Sequence, residues 1–287
     1  MSTALSDGAR TTTTVSADGT TIAYHTLGQG PGLVIVGGVL WDGSDYLPLA
    51  RALADDYQVH AMERRARPGS GPQLEHHGID DECADLAAVA AATRAATVFG
   101  HSFGGLVALE TARRHDIFSE VFAYDPGIPL RGRFETGWFD GYRRLLDRGD
   151  RRGSFAWMTK HSGFAPGPAR RLPLWHLRLV LRCIIRGDAW SRMDRLLEAN
   201  LVEHRLQATL DAPDPSRFSQ ISARTVLLGG AKSPPALSSD LLPELARAIP
   251  GSTVALLEGL GHFAPRDQPA RLAAAILENR SSGRALR

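Results

Sequence analysis

The sequence predicts an α/β fold: a mostly parallel eight-stranded sheet flanked by helices, with one helical insertion after the sixth strand. Three observations predict it. Short apolar or β-branched runs alternate with helix-like segments, the pattern of parallel strands joined by helical crossovers. Some of these runs, such as "GLVIV" at 32–36, are apolar throughout, as a strand covered on both faces must be. The alternation stops near residue 128 and resumes near 218.

Taken in order, "TTTTVS" and "TTIAYHTL" flank Asp18-Gly19, a tight-turn dipeptide that predicts a hairpin over 11–27. After "GLVIV", the run "YLPLARALAD" (46–55) reads as a helix and "YQVHAM" (57–62) as a strand. "DDECADLAAVAAATRAA" (80–96) is a helix whose acidic start suits the helix dipole. "TVFG" (97–100), "GLVALETARRH" (105–115) and "EVFAY" (120–124) read as strand, helix and strand. The rhythm returns with "RTVLLG" (224–229), a helix near 238–248, "STVALLE" (252–258) and a last helix at 269–280.

This assigns 1–127 and 218–287 to the core and 128–217 to a helical cap over one end of the sheet. The cap segment holds Trp138, Trp157, Trp175 and Trp190, four of the five tryptophans. It carries 17 Lys and Arg against 10 Asp and Glu, so the remainder is net negative although the whole chain is +2. Asp211-Ala-Pro-Asp-Pro215 reads as the return linker. Its rings, Phe134, Phe155, Phe164 and Trp175 among them, would wall a pocket or build the cap's own core. Arg178, Arg182 and Arg186 lie one helical turn apart in "LWHLRLVLRCIIRG". They would form a solvated face or attract an anionic substrate, carrier or membrane surface.

The small net charge argues against a nucleic-acid partner. Cys83 and Cys183 stand a hundred residues apart with no Cys/His cluster, which argues against a disulfide framework or a metal site. The N-terminal run lacks a charged-then-apolar leader pattern, and no apolar run reaches the length of a membrane span. A cytoplasmic protein without stable membrane insertion is the expectation.

The chemistry concentrates at "VFGHSFGGLVALE", residues 98–110. A nucleophilic hydroxyl must stand clear of the backbone, open to substrate on one side and to a base on the other. A tight strand-to-helix turn achieves this if its neighbours are very small. Gly100 and Gly104 flank Ser102 in Gly100-His-Ser102-Phe-Gly104, the G-x-S-x-G elbow. The turn also aims the first N–H groups of the next helix at the substrate carbonyl, where negative charge develops.

With this elbow the chain resembles the α/β-hydrolase superfamily, as a serine-nucleophile member with a helical cap. "LVIVGGVLWDGSDYLPLARAL" is similar to the family's strand, oxyanion loop and first helix, "MERRARPGSG" (62–71) to its following loop, and "GLGHFAP" (259–265) to its histidine loop. The resemblance implies an order of serine, acid and histidine, with His262 as base; neutral imidazole suits that task near neutral pH. His101 reads as a supporting or packing residue. The family usually carries its acid after the strand at 224–229, but Gly230-Ala-Lys-Ser233 has serine there, and Asp240 follows seven residues later. The fold's other acid location, the end of the preceding strand, offers Asp125 in "EVFAYDPG". Asp-Pro-Gly is also ordinary turn chemistry. Gly37-Gly38 stands where many relatives have His-Gly; backbone donors survive that change, and Phe103 and Val39 N–H are the expected oxyanion donors.

These residues imply a serine hydrolase cleaving an ester or thioester of a small, largely apolar molecule, with a carrier-bound acyl group included. Trp41, Trp138, Phe139 and Trp157 are the expected substrate contacts, and no cofactor or metal is called for. A serine rather than an aspartate at the elbow argues against dehalogenase or epoxide-hydrolase chemistry. Acyl transfer, cyclisation or C–C hydrolysis by the same triad stays open. So does a non-catalytic ligand-binding protein on the same scaffold.

Overall fold

The computed structural model describes residues 3–4, 8–132, 134–163, 171–212 and 214–280. Phe164 and Pro213, named above, lie outside them. The chain divides into two compact units: Met1–Gly38, Asp42–Ile128 and Pro215–Arg287 in the first, Val39–Trp41 and Pro129–Asp214 in the second. The second unit therefore also takes in three residues that directly follow Gly38.

The first unit contains one nine-stranded sheet. Its strands are β1 (Thr3–Ala4), β2 (Arg10–Val15), β3 (Thr21–Leu27), β4 (Gly32–Val36), β5 (Gln58–Met62), β6 (Thr97–His101), β7 (Glu120–Tyr124), β8 (Arg224–Gly230) and β9 (Thr253–Leu257). Their spatial order is β1-β2-β3-β5-β4-β6-β7-β8-β9. Eight of these are the eight expected strands; the ninth is the two-residue β1. Pairing is antiparallel from β1 through β3 to β5 and parallel from there to β9. The central strands β6 and β7 are buried at every residue, which is why their middles read as short apolar runs. The edge strand β9 exposes Val254 and Leu256 instead.

Three helices of this unit matter most to the site: α1 (Leu47–Leu53), α2 (Ile79–Thr93) and α3 (Phe103–Arg114). The helix expected to reach 96 stops at Thr93 because Arg94 turns left-handed, φ 55°, and caps it. The helix expected from 105 begins at Phe103, directly on the serine. The helix expected near 238–248 shortens to Leu242–Ala248. Pro243 lies in its first turn, the one place where a helix tolerates a residue without an N–H.

The second unit is helical: Phe139–Asp147, Arg151–His161, Leu174–Ile184, Gly187–Arg195 and Leu197–Thr209. A parallel bridge between Leu130 and Ala212 ties its two ends together. Its core gathers Leu40, Trp138, Tyr142, Leu146, Phe155, Leu196, Leu197 and Leu201. Among the described residues, no helix is long and apolar enough to cross a membrane.

Candidate active site

The site grows from the junction of β6 and α3. Ser102 has φ 57° and ψ −122°, a left-handed backbone that a non-glycine residue holds only when its surroundings enforce it. The enforcement is steric. A Cβ at Gly100 would lie 2.4 Å from the Gly104 carbonyl oxygen, and one at Gly104 only 2.1 Å from the Val36 oxygen. Only bare glycines let the helix rise this close to β4 and β6. Hydrogen bonds pin the serine backbone: its N–H donates to Tyr124 O at 3.1 Å, and its carbonyl accepts from Gly105 N–H at 2.9 Å and Gly127 N–H at 2.8 Å. Phe103 follows as the first residue of α3, where backbone N–H groups have no intrahelical acceptor.

His262 reaches back from the loop after β9. Its Nε2 lies 3.2 Å from Ser102 Oγ, and its Nδ1 lies 3.1 Å from Asp125 Oδ2. A carboxylate only accepts, so Nδ1 carries the proton and Nε2 offers its lone pair to the serine O–H. Asp125 sits one residue past β7, fully buried, with its own φ at 44°. Its other oxygen, Oδ1, accepts from Gly230 N–H at 3.0 Å. The hydroxyl of Ser233 donates to Oδ2 at 2.5 Å. The structure thus brings Ser102, His262 and Asp125 into one hydrogen-bonded line. Asp240 is exposed on the loop after β8.

The loop after β4 approaches the serine closely. A Cβ at Gly38 would lie 3.0 Å from Ser102 Cβ and 3.5 Å from its Oγ. Arg64, buried just past β5, clamps this loop by donating to Gly37 O at 3.0 Å and Gly38 O at 2.9 Å. The same guanidinium lies 4.7 Å over the Phe103 ring and donates to Glu82 Oε1 at 3.0 Å. Burial pushes the Glu82 carboxyl up, but Arg64, His77 and Arg67 outweigh it and hold it at about 2. Gly38 N–H donates to Tyr46 Oη at 2.8 Å. Sequence reading missed Arg64 and Tyr46. The arginine lies in the quoted "MERRARPGSG" loop, but nothing there tells which of its arginines turns inward.

The expected second oxyanion donor, Val39, follows Gly38 and groups with the second unit. Of the expected substrate contacts, Trp138 is wholly buried in that unit's core, against Phe139 at 4.8 Å and Tyr142 at 5.3 Å between ring centroids. Trp157 donates from its indole N–H to Trp138 O at 3.0 Å. Trp41 is buried as well. Trp138, Phe139 and Trp157 therefore contribute to the second unit's own packing.

Comparison with known proteins bears on the fold and the family. An alpha/beta hydrolase from Sphaerobacter thermophilus DSM 20745 superposes with a TM-score of 0.78 at 26% identity, covering 93% of this chain and 99% of its own. An esterase from Thermogutta terrifontis superposes at 0.69 and 20% identity, over 93% and 97% of the two chains, a likeness that carries the fold. A pimeloyl-[acyl-carrier protein] methyl ester esterase from Vibrio atlanticus (strain LGP32) is 36% identical over 95 residues, 33% of this chain. The match spans only about a third, 36%, of that relative's length. The model of the alpha/beta hydrolase family matches residues 32–275, most of the chain, and the protein belongs to that family.

Proposed function

We propose that the protein is a serine hydrolase that cleaves an ester or thioester through an acyl-enzyme. The observation that carries this reading is the line Ser102 Oγ, His262 Nε2 and Nδ1, Asp125 Oδ2, with spacings of 3.2 and 3.1 Å. In the acylation step Ser102 Oγ bonds to the substrate carbonyl carbon as its proton passes to His262 Nε2. The carbonyl electron pair moves onto oxygen, where the Phe103 N–H and, by the sequence assignment, the Val39 N–H receive it. The tetrahedral centre then expels the alcohol or thiol, which takes the proton from His262. Water, deprotonated by the same nitrogen, releases the acid by the reverse sequence. Asp125 holds the productive tautomer and stabilises the imidazolium. Removing one oxyanion donor costs about 2.7–4 kcal/mol of transition-state stabilisation in such sites.

The curated relatives support a narrower substrate, the ester of an acyl group borne on a carrier protein. A fluorophosphonate probe tests the chemistry directly. Labelling of the wild type that vanishes in Ser102→Ala, together with turnover of p-nitrophenyl esters, is the expected result. Absent labelling and absent turnover would leave a ligand-binding protein. Asp125→Asn should lower kcat on the order of 10³–10⁴-fold, and Asp240→Asn should leave it near wild type. Comparing the methyl ester of a free acid with that of the same acid on acyl carrier protein tests the substrate.

A further inference from the structure

Two strand ends meet behind His262. Asp125 follows β7, and Gly230 closes β8, its parallel neighbour. The chain leaves β8 in a tight turn in which Ser233 N–H donates to Gly230 O at 2.9 Å. That turn returns two donors to one carboxylate: Gly230 N–H to Oδ1 at 3.0 Å and Ser233 O–H to Oδ2 at 2.5 Å. Oδ2 is the oxygen that also accepts from His262 Nδ1. The place is closed: Ser233 is buried, and a Cβ on Gly230 would lie 2.5 Å from Ser233 Oγ and 2.7 Å from Tyr124 Oη.

An aspartate's terminal torsion is broad and two-fold, so a carboxylate held by one partner can swing. Here both oxygens are tied from the β8 side, and the one facing the imidazole is tied at two points. We infer that Ser233 is a positioning residue for the triad: its hydroxyl holds Asp125 Oδ2 against His262 Nδ1 from the position where the family's pattern puts the acid itself. The inference rests on the triad reading proposed above. It has a built-in opposing effect, because a donor on Oδ2 also draws charge away from the imidazolium. If that drain were the larger effect, removing the hydroxyl would speed the reaction.

The test is a double-mutant cycle on the rate at which a fluorophosphonate inactivates the full-length protein, with kcat and KM on a p-nitrophenyl ester beside it. Ser233→Ala should slow inactivation roughly ten- to hundredfold, the range for a hydrogen bond to a charged group. It should lower kcat with KM little changed. Ser233→Thr, which keeps the hydroxyl, should stay within a few-fold of wild type. In an Asp125→Asn background Ser233→Ala should cost nothing more, since no carboxylate remains to be held. Ser233→Ala at or above the wild-type rate overturns the inference, as does the same loss in both backgrounds. Should the alanine variant not fold, Ser233→Cys, a weaker donor of similar shape, is read in the same way. Asp125→Asn at the wild-type rate would instead bring down the triad reading; a loss there with none at Ser233→Ala brings down this inference alone.

Discussion

His101 stands beside Ser102, yet its ring serves the surrounding loops. Its Nε2–H donates to the His262 carbonyl at 2.8 Å, so its Nδ1 accepts from Tyr46 O–H at 2.8 Å. Tyr46 in turn accepts from Gly38 N–H. One chain of hydrogen bonds therefore ties the loop before Val39 to the loop that carries His262. Burial, and then the nearby His262, push the His101 pKa well below its usual value, against the opposing pull of the His262 carbonyl. The ring stays neutral. A cation there, with ring centroids 4.7 Å apart, would oppose the imidazolium that the proposed mechanism forms on His262. Tyr46→Phe removes the acceptor of Gly38 N–H and the hydroxyl donor to His101 Nδ1. It should destabilise the protein by about 1–3 kcal/mol, measured by urea unfolding, and lower kcat as the two loops lose their tie. An unchanged midpoint would show that the chain has no such weight. The sequence named Ser102, His262 and Asp125 because each sits at a strand end or in a motif whose local chemistry is readable. It could not name Tyr46, which is 55 residues from His101 and meets it only in the fold, nor show that Ser233 turns its hydroxyl onto Asp125.

At the scale of the element, the junction of β6 and α3 leaves no room for a side chain at its glycines. A Cβ at Gly104 meets backbone, the Val36 oxygen at 2.1 Å and carbon at 2.5 Å, and β4 cannot yield without breaking its register of Val36 on Gly100. Gly104→Ala should cost at least the roughly 1–3 kcal/mol of ordinary overpacking, while Gly137→Ala, with nothing within 4 Å, should stay within about 0.5 kcal/mol of wild type. Paired thermal melts check the contrast; similar midpoints for the two variants would mean that the elbow adapts. The same close packing made the elbow legible in sequence, since Gly100, Gly104 and Gly105 are the price of the approach. Strands also read well: the central ones from short apolar stretches that burial on both faces leaves, β2 from its β-branched threonines. Helix ends read less well. Arg94 as a left-handed cap and the late start at Leu242 depend on local backbone choices that composition does not display.

At the scale of the whole molecule, the tryptophans of the insertion were legible as a concentration but not as a purpose, since a ring that walls a pocket and a ring that fills a core look alike in sequence. The second unit uses Trp138 for its core, with Tyr142 O–H donating to Leu197 O at 2.9 Å and Asn200 donating to the Tyr142 oxygen. His204 adds an edge-on contact to the Trp138 ring at 5.0 Å.

Buried histidines in both units set how stability responds to acid. Burial pushes His60 down to about 4, with Arg10 adding to the shift, and burial lowers His101 and His204 as well. In the unfolded chain these groups titrate near 6.5. As pH falls below that value, the unfolded state takes up protons that the native state refuses. Stability that is fully present above about pH 6.5 is therefore lost on acidification, at up to about 1.4 kcal/mol per pH unit for each such histidine. Glu63 and Asp85, both raised by burial, work in the opposite sense, because the native state then binds their protons more readily than the unfolded one. A single substitution separates the two contributions. His60 lies in β5, buried, with Nδ1 3.0 Å from Thr26 Oγ1, and His60→Gln removes its titration while leaving the carboxyls in place. The unfolding free energy of the wild type should fall relative to that of the variant as pH drops from 6.5 towards 4, and the difference should be flat above pH 7. A difference that does not change between pH 6.5 and 4 would mean that His60 takes up its proton in the folded protein as easily as in the unfolded chain.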